Sequence, residues 1–350
     1  MAELPRGRGA GHNPANRFIP LYYEDDPARI DPDGPAPRTK FYHDHTRSII
    51  ATNDSPDVGF THSINPYRGC EHGCSYCYAR PFHEYLGLSS GLDFETKIMV
   101  KADAPQLLRK ELMAKSWKSV SISISGVTDA YQPIERRLKV TRGCLEVLAE
   151  FRNPFGIVTK NHLVTRDIDL LAPMAAINAA AVFLSVTTLD PELARVMEPR
   201  ASAPEARLRA IRELTAAGVR VGVMVAPIIP GLNDHEIPAI LAAVKEAGAR
   251  TAAYVMLRLP FAIKDLFSEW LEHHFPERKA KVLGRLRELR DGRLYDSRFG
   301  SRMRGDGPIA DMVRDVFHLH RARLGLDERG PELATECFRR PGPMQRLMFE

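Results

Sequence analysis

Three cysteines, Cys70, Cys74 and Cys77, fall within "RGCEHGCSYCYARPFHEYLG", and no fourth follows them. This spacing constrains the chain more than any other feature. Short intervals let three thiolates converge on one object, and Gly69 and Gly73 let the backbone turn tightly around it. A tetrahedral zinc site needs a fourth donor, for which His72 and His83 are the candidates. Structural zinc sites usually come as two separated ligand pairs, a pattern this loop lacks. An iron–sulfur cluster is usually held by four thiolates, so three would leave one iron open, a position suited to chemistry.

The rest of the chain sets the frame. It has 350 residues, 44% hydrophobic and 27% charged, enough to bury a sizeable core. Five cysteines, an odd and sparse number, argue against a secreted disulfide scaffold. No apolar leader follows Met1, and the longest apolar region, Ala172–Val186, is broken by Pro173 and Asn178. The expectation is a cytoplasmic protein that makes no membrane contact. A net charge of +5 permits contact with a polyanion without requiring it.

Residues 1–59 are proline-rich and read as an irregular N-terminal extension, anchored by Phe18, Ile19, Leu21 and Tyr22. From residue 60 to 260, β-rich runs alternate with helical periods. Ser119–Ser125, Gly156–Lys160, Ala180–Thr188, Val219–Ile228 and Ala252–Pro260 read as strands, with "THSIN" and "TKIMVK" as weaker candidates. In "PEARLRAIRELTAAG", Leu208, Ile211 and Leu214 share one face, while Arg207, Arg209, Arg212 and Glu213 face out. Such alternation means a parallel sheet with crossover helices. About six βα units fit, so the expected fold is α/β, a partial (β/α)6 TIM-like barrel, with a doubly wound sheet as the alternative. Residues 261–350 read as a C-terminal helical segment. In either fold, site residues gather at the C-terminal ends of the strands.

Cys-x₃-Cys-x₂-Cys followed by Tyr78, after the first strand of a βα series, resembles the radical S-adenosylmethionine (SAM) superfamily. "NPYRGCEHGCSYCYAR", "SGVTDAYQPIE", "TRDIDLL", "MEPR" and "APIIPGLND" together resemble a bacterial subgroup related to spore photoproduct lyase. The resemblance implies a [4Fe–4S] cluster on Cys70, Cys74 and Cys77, with S-adenosyl-L-methionine on the open iron. Reductive cleavage would give methionine and a 5′-deoxyadenosyl radical that abstracts a substrate hydrogen atom. It also implies an electron donor such as flavodoxin or ferredoxin. A nucleic-acid lesion is the expected substrate, with a peptide or an RNA as the alternative. A non-catalytic zinc-binding nucleic-acid module is the remaining alternative.

The same resemblance implies where the second cofactor sits. Gly126, Thr128 and Asp129 lie at the segment that meets the methionine amino group, though this chain lacks the usual Gly-Gly-Glu. A turn or helix cap at Thr128 or Asp129 is the structural alternative. Lys160 resembles a lysine that pairs with the methionine carboxylate, and Ser185 the hydroxyl beside it. Arg200 in "MEPR" could bind carboxylate or ribose, or pair with Glu198. Ile229 in "PIIPGLND" lies at the apolar segment that backs the adenine. Cys144 reads as a buried core thiol, and His83, Glu84, Asp93, Glu95 and Lys97 as surface charge. Arg298, Arg302 and Arg304 form a compact basic patch that could meet phosphates or simply be solvated.

Overall fold

A computed structural model describes residues 5–19, 38–327 and 332–342. Ten strands are present among them: β1 (Lys40–His43), β2 (Ile50–Thr52), β3 (His62–Ile64), β4 (Tyr67–Arg68), β5 (Lys97–Val100), β6 (Ile122–Ile124), β7 (Phe155–Thr159), β8 (Ala180–Ser185), β9 (Arg220–Ile228) and β10 (Thr251–Met256). The main sheet has the order β10-β9-β8-β7-β6-β3-β2. From β3 to β10 every pairing is parallel, and β2 adds antiparallel at the edge. Six parallel strands in sequential order make the partial barrel expected from the sequence, with consecutive strands as neighbours.

The helices are α1 (Leu92–Thr96), α2 (Ala104–Met113), α3 (Glu135–Leu138), α4 (Val140–Phe151), α5 (Ile168–Ala176), α6 (Pro191–Met197), α7 (Pro204–Ala216) and α8 (Ile237–Glu246). Beyond β10 follow α9 (Ile263–His274), α10 (Pro276–Glu288), α11 (Ser301–Arg304) and α12 (Pro308–Arg323), the helical segment expected there. Asp327 bridges back to Thr251, so the exposed edge of β10 is partly covered. No helix among the described residues is long and apolar enough to cross a membrane.

Several expectations need correction. β1 and β2 lie inside the stretch read as irregular, and "TKIMVK" forms β5 outside the barrel, in a small sheet of order β1-β5-β4. Phe18 and Ile19 are 52% and 38% exposed, so they anchor nothing in the core, and Leu21 and Tyr22 lie outside the described residues. The helix carrying Cys144 breaks at Lys139, whose φ of 55° is left-handed, and this turns Leu138 out to 39% exposure. On α7, Leu208, Ile211 and Leu214 are buried as the periodicity demands, but Arg207 is buried too, because it has an ionic partner inside.

The two faces of α7 make this division testable. Ile211→Ala removes a fully buried side chain and is expected to cost about 2–5 kcal/mol. Arg212→Ala, on the exposed face beside Glu205, is expected to cost less than about 1 kcal/mol. Urea midpoints of the two variants measure the difference.

Candidate active site

The cysteine loop is held at each of its three thiols by a separate device. Cys70 N–H donates to Phe94 O at 2.9 Å. Gln132 brackets the same cysteine, accepting from Glu71 N–H at 2.9 Å and donating to Gly69 O at 3.2 Å. Arg80 donates from Nε and Nη2 to Cys74 O at 3.1 and 2.9 Å. Cys77 N–H closes the turn onto Cys74 O at 3.3 Å.

Arg80 owes its position to Glu95. Both side chains are fully buried, and Arg80 Nη2 pairs with Glu95 Oε1. The two Glu95 oxygens also accept from Gly9 N–H at 3.1 Å and Ala10 N–H at 3.0 Å. The N-terminal arm therefore lies directly on the loop. Gly9 sits so close that a Cβ there would be 1.7 Å from Gly73 O, and Gly73 itself has a left-handed φ of 66°. Glu84 and Asp93 are buried as well, and His83 is 1% exposed. The reading as surface charge is overturned for Glu84, Asp93 and Glu95, which hold the arm against the loop, as in Arg17–Glu84 and the Asn13–Asp93 bond at 3.2 Å, and for His83, which is bonded to Lys97 O beneath them; Lys97 is half-buried and pairs with Asp93.

A second buried ion pair supports the loop from the barrel side. Glu198 accepts from Tyr76 OH, from Thr187 Oγ1 at 2.8 Å and from Arg207. Arg207 also donates to Ser185 O at 3.0 Å and Ser202 O at 2.7 Å. Burial would raise the Glu198 pKa, but the Arg207 and Lys160 charges and the Tyr76 hydrogen bond hold it down to about 2. Arg200 does not pair with Glu198. It meets Glu71 Oε1 at 3.3 Å and Thr39 Oγ1 at 3.3 Å.

The other residues named from the sequence stand at the ends of successive strands. Gly126, after β6, donates N–H to Asn65 Oδ1 at 2.9 Å and accepts from Tyr78 OH at 2.8 Å. Thr128 Oγ1 reaches Tyr67 O at 3.4 Å. The Asp129 carboxylate accepts from Thr159 Oγ1 at 2.7 Å, Lys160 N–H at 2.8 Å and Tyr131 N–H at 2.9 Å. It caps a turn and fixes the end of β7. Burial opposes its charge, yet His72 and these donors hold its pKa at about 2. Lys160 Nζ lies 5.9 Å from the Tyr76 ring centre and has no ion-pair partner among the described residues. Ser185 ends β8 and is buried. Ile229, fully buried after β9, donates N–H to Asn233 Oδ1 at 2.7 Å.

The thiols suit a cofactor that takes up thiolate. Burial pushes all three thiol pKa values up, Cys70 further through Asp129 and the other two cysteines, Cys74 through Glu198 and Cys77. Ionising them together calls for nearby positive charge of the kind metals supply. The zinc alternative fares worse. His72 faces Asp129 at 3.4 Å and Asn161 at 3.1 Å, while His83 is bonded to Lys97 O at 3.0 Å and its pKa is lowered by burial to about 4. Among the described residues no three His, Cys, Asp or Glu side chains stand grouped as ligands of one ion, the three cysteines included, so it is the two engaged histidines that count against zinc. Cys144 is fully buried on α4, with a thiol pKa raised by burial, as expected of a core thiol.

The arm escapes sequence reasoning because its contacts join residues far apart in the chain, and the Arg80–Glu95 and Glu198–Arg207 pairs because irregular turns lie between their members, so no helical or strand period links them. The signal that was present is compositional: charged residues sit among aromatic and small ones in "YARPFHEYLG" and "GLDFET", where a solvated face would be more uniformly polar.

A barrel of six parallel strands, with three thiols and a lysine at its C-terminal mouth, matches the model of the Radical SAM superfamily over residues 64–244. This chain belongs to that superfamily. An uncharacterised protein of Mycobacterium tuberculosis is 38% identical over 244 residues, 68% of this chain and 71% of the relative. An uncharacterised protein of Methanocaldococcus jannaschii is 31% identical over 226 residues, 64% and 80% of the two chains. In fold the chain is similar to spore photoproduct lyase complexed with dinucleoside spore photoproduct, with TM-score 0.58, 17% identity, and 81% and 78% coverage.

Two predictions follow from the loop supports. Gly9→Ala should displace the arm, because its Cβ would lie 1.7 Å from Gly73 O, a backbone atom that cannot swing aside. Limited proteolysis should then cut residues 5–19 in the variant under conditions that spare the parent. Arg207→Met strands a buried carboxylate and should cost about 3–5 kcal/mol at neutral pH. Glu198 has a folded pKa depressed from 4.5 to about 2, so its stabilisation is complete above pH 4.5 and is lost as pH falls toward 2. The urea-midpoint advantage of the parent over Arg207→Met should shrink across that window.

Proposed function

We propose that this chain holds a [4Fe–4S] cluster on Cys70, Cys74 and Cys77, cleaves S-adenosylmethionine reductively, and removes a hydrogen atom from a nucleic-acid lesion in a lyase-like reaction. The observation that carries this reading is the company of three neighbouring thiols, Cys70 and Cys74 buried and Cys77 half-buried, with the Lys160 ammonium, which has no ion-pair partner among the described residues. When bound, the cluster and S-adenosylmethionine supply the one-electron reduction and the radical.

The chain's own residues bind and orient. Lys160 offers a cation to the methionine carboxylate, and Asp129 fixes Lys160 by accepting its backbone N–H. Ser185 has a hydroxyl with no hydrogen-bond partner among the described residues, placed for the same carboxylate. Gly126 offers a backbone carbonyl that accepts from Tyr78 OH and keeps a second lone pair for a ligand amino group. Thr128 adds a hydroxyl there, Arg200 a guanidinium for carboxylate or ribose, and Ile229 an apolar wall for adenine. The arm over the loop excludes water from the thiols. The nucleic-acid assignment rests on analogy in fold with a lyase seen complexed with a dinucleoside spore photoproduct. A flavodoxin or ferredoxin of the cytoplasm is the fitting electron donor.

The test is anaerobic reconstitution followed by dithionite. The parent should form 5′-deoxyadenosine, and Cys70→Ala, Cys74→Ala and Cys77→Ala should each lose both iron and product. Lys160→Ala should keep its iron and bind S-adenosylmethionine about 10- to 100-fold more weakly, as expected for loss of a charged hydrogen bond. A cluster-loaded protein that leaves S-adenosylmethionine intact overturns the reading.

A further inference from the structure

The basic patch read from "RFGSRMRG" is mostly neutralised. Arg298 pairs with Asp296 and Asp291, and Arg302 pairs with Asp57 and donates to Ser55 Oγ at 2.6 Å. The uncompensated charge lies deeper, on Arg258 and Arg290. Arg258 follows β10 at the same mouth as Lys160, and its guanidinium carbon stands 4.8 Å from the centre of the Tyr78 ring, next to Cys77. One of its Nη atoms reaches only a thioether, Met303 Sδ, at 3.1 Å. Its Nε is buried without a partner.

Arg290 lies behind it and is 1% exposed. It donates to two neutral carbonyls, Leu257 O and Arg302 O, and its Nε too is buried without a partner. Neither arginine has an ion-pair partner among the described residues. Asp296 and Asp306 act on Arg290 only from beyond ion-pair distance, and Asp296 is already bonded to Arg298 and Ser301. Burial and the Arg258 charge both push the Arg290 pKa down, the mark of positive charge without a counter-ion. Two adjacent guanidiniums, Arg258 half-buried and Arg290 fully buried, are costly unless an anion joins them.

We propose that Arg258, backed by Arg290, is the seat for a backbone phosphate of a nucleic-acid substrate. A guanidinium fork matches a phosphate's paired oxygens. The anion is distinct from the one assigned to Lys160, because β10 stands three places from β7 in the sheet, on the order of 14 Å at about 4.8 Å per strand. An aromatic ring flanks the seat, Tyr78, 44% exposed, and the segment that carries Met303 against Arg258 also presents Phe299, 59% exposed with Arg302 over its face at 4.4 Å. Rings beside cations suit a strand whose bases stack while its phosphates pair. Tyr78 also donates to Gly126 O, so a phosphate on Arg258 registers the strand against the β6 end of the mouth. The inference rests on the nucleic-acid reading above and deepens it.

The experiment uses cluster-loaded full chain and a fluorescein-labelled single-stranded DNA 12-mer, followed by anisotropy across a salt series. The parent should bind, and a methylphosphonate version of the strand should bind poorly. Arg258→Met should weaken binding about tenfold or more and lower the salt slope by about 1. Arg258→Lys, which keeps the charge and loses the fork, should fall between, and guards against a folding defect. Arg195→Met, removing an exposed charge on α6, should bind like the parent. Parental affinity and slope in Arg258→Met, no binding by the parent, or preference for a glutamate-rich peptide each overturn the inference. The same preparations are assayed for 5′-deoxyadenosine. Cleavage without strand binding defeats this inference alone, and strand binding without cleavage defeats the radical reading alone.

Discussion

The buried pair Arg80–Glu95 is the contact on which the site depends. Arg80 reads the backbone of the cysteine loop at Cys74, and Glu95 reads the backbone of the arm at Gly9 and Ala10. A buried ion pair is stabilising only when its remaining donors and acceptors are also met. Here they are: Arg80 also donates to Gly91 O at 3.0 Å, and both Glu95 oxygens are taken. The pair thus converts two irregular segments, neither of which has a ladder of its own, into one rigid body.

Around that body the barrel acts as a set of pegs. Each parallel strand delivers its last residues to the same rim, which is why Gly126, Lys160, Ser185, Ile229 and Arg258 share a mouth despite wide separation in sequence. The charges at this rim are sorted. Carboxylates such as Asp129 and Glu198 are saturated by the protein's own donors, and the cations Lys160 and Arg258 are left without carboxylate partners among the described residues. A mouth arranged in this way favours anionic guests.

Local sequence patterns carried most of the barrel. β-rich runs identified five of the six parallel strands, with β3 a weaker candidate beside "TKIMVK", and helical spacing identified the buried face of α7. The three cysteines were legible because their chemistry depends on short intervals. What spacing could not reveal was which charges find a partner out of water. Arg207 and Glu95 look solvent-facing by local pattern and are buried because the turns between them and Glu198 and Arg80 bring each pair together inside. Arg298 looks free and is bound to Asp296 close by, while Arg302 is bound to Asp57, so remote that no window would pair them. β1 went unread because all four of its residues are exposed, leaving no alternation to detect.

The arm's bonds to Glu95 span 86 and 85 positions of chain. During synthesis the arm therefore emerges long before anything exists for it to grip. The arm's two amides meet their acceptors only once the polypeptide has passed Glu95, so the cover over the cysteine loop is completed after every cysteine of that loop has emerged.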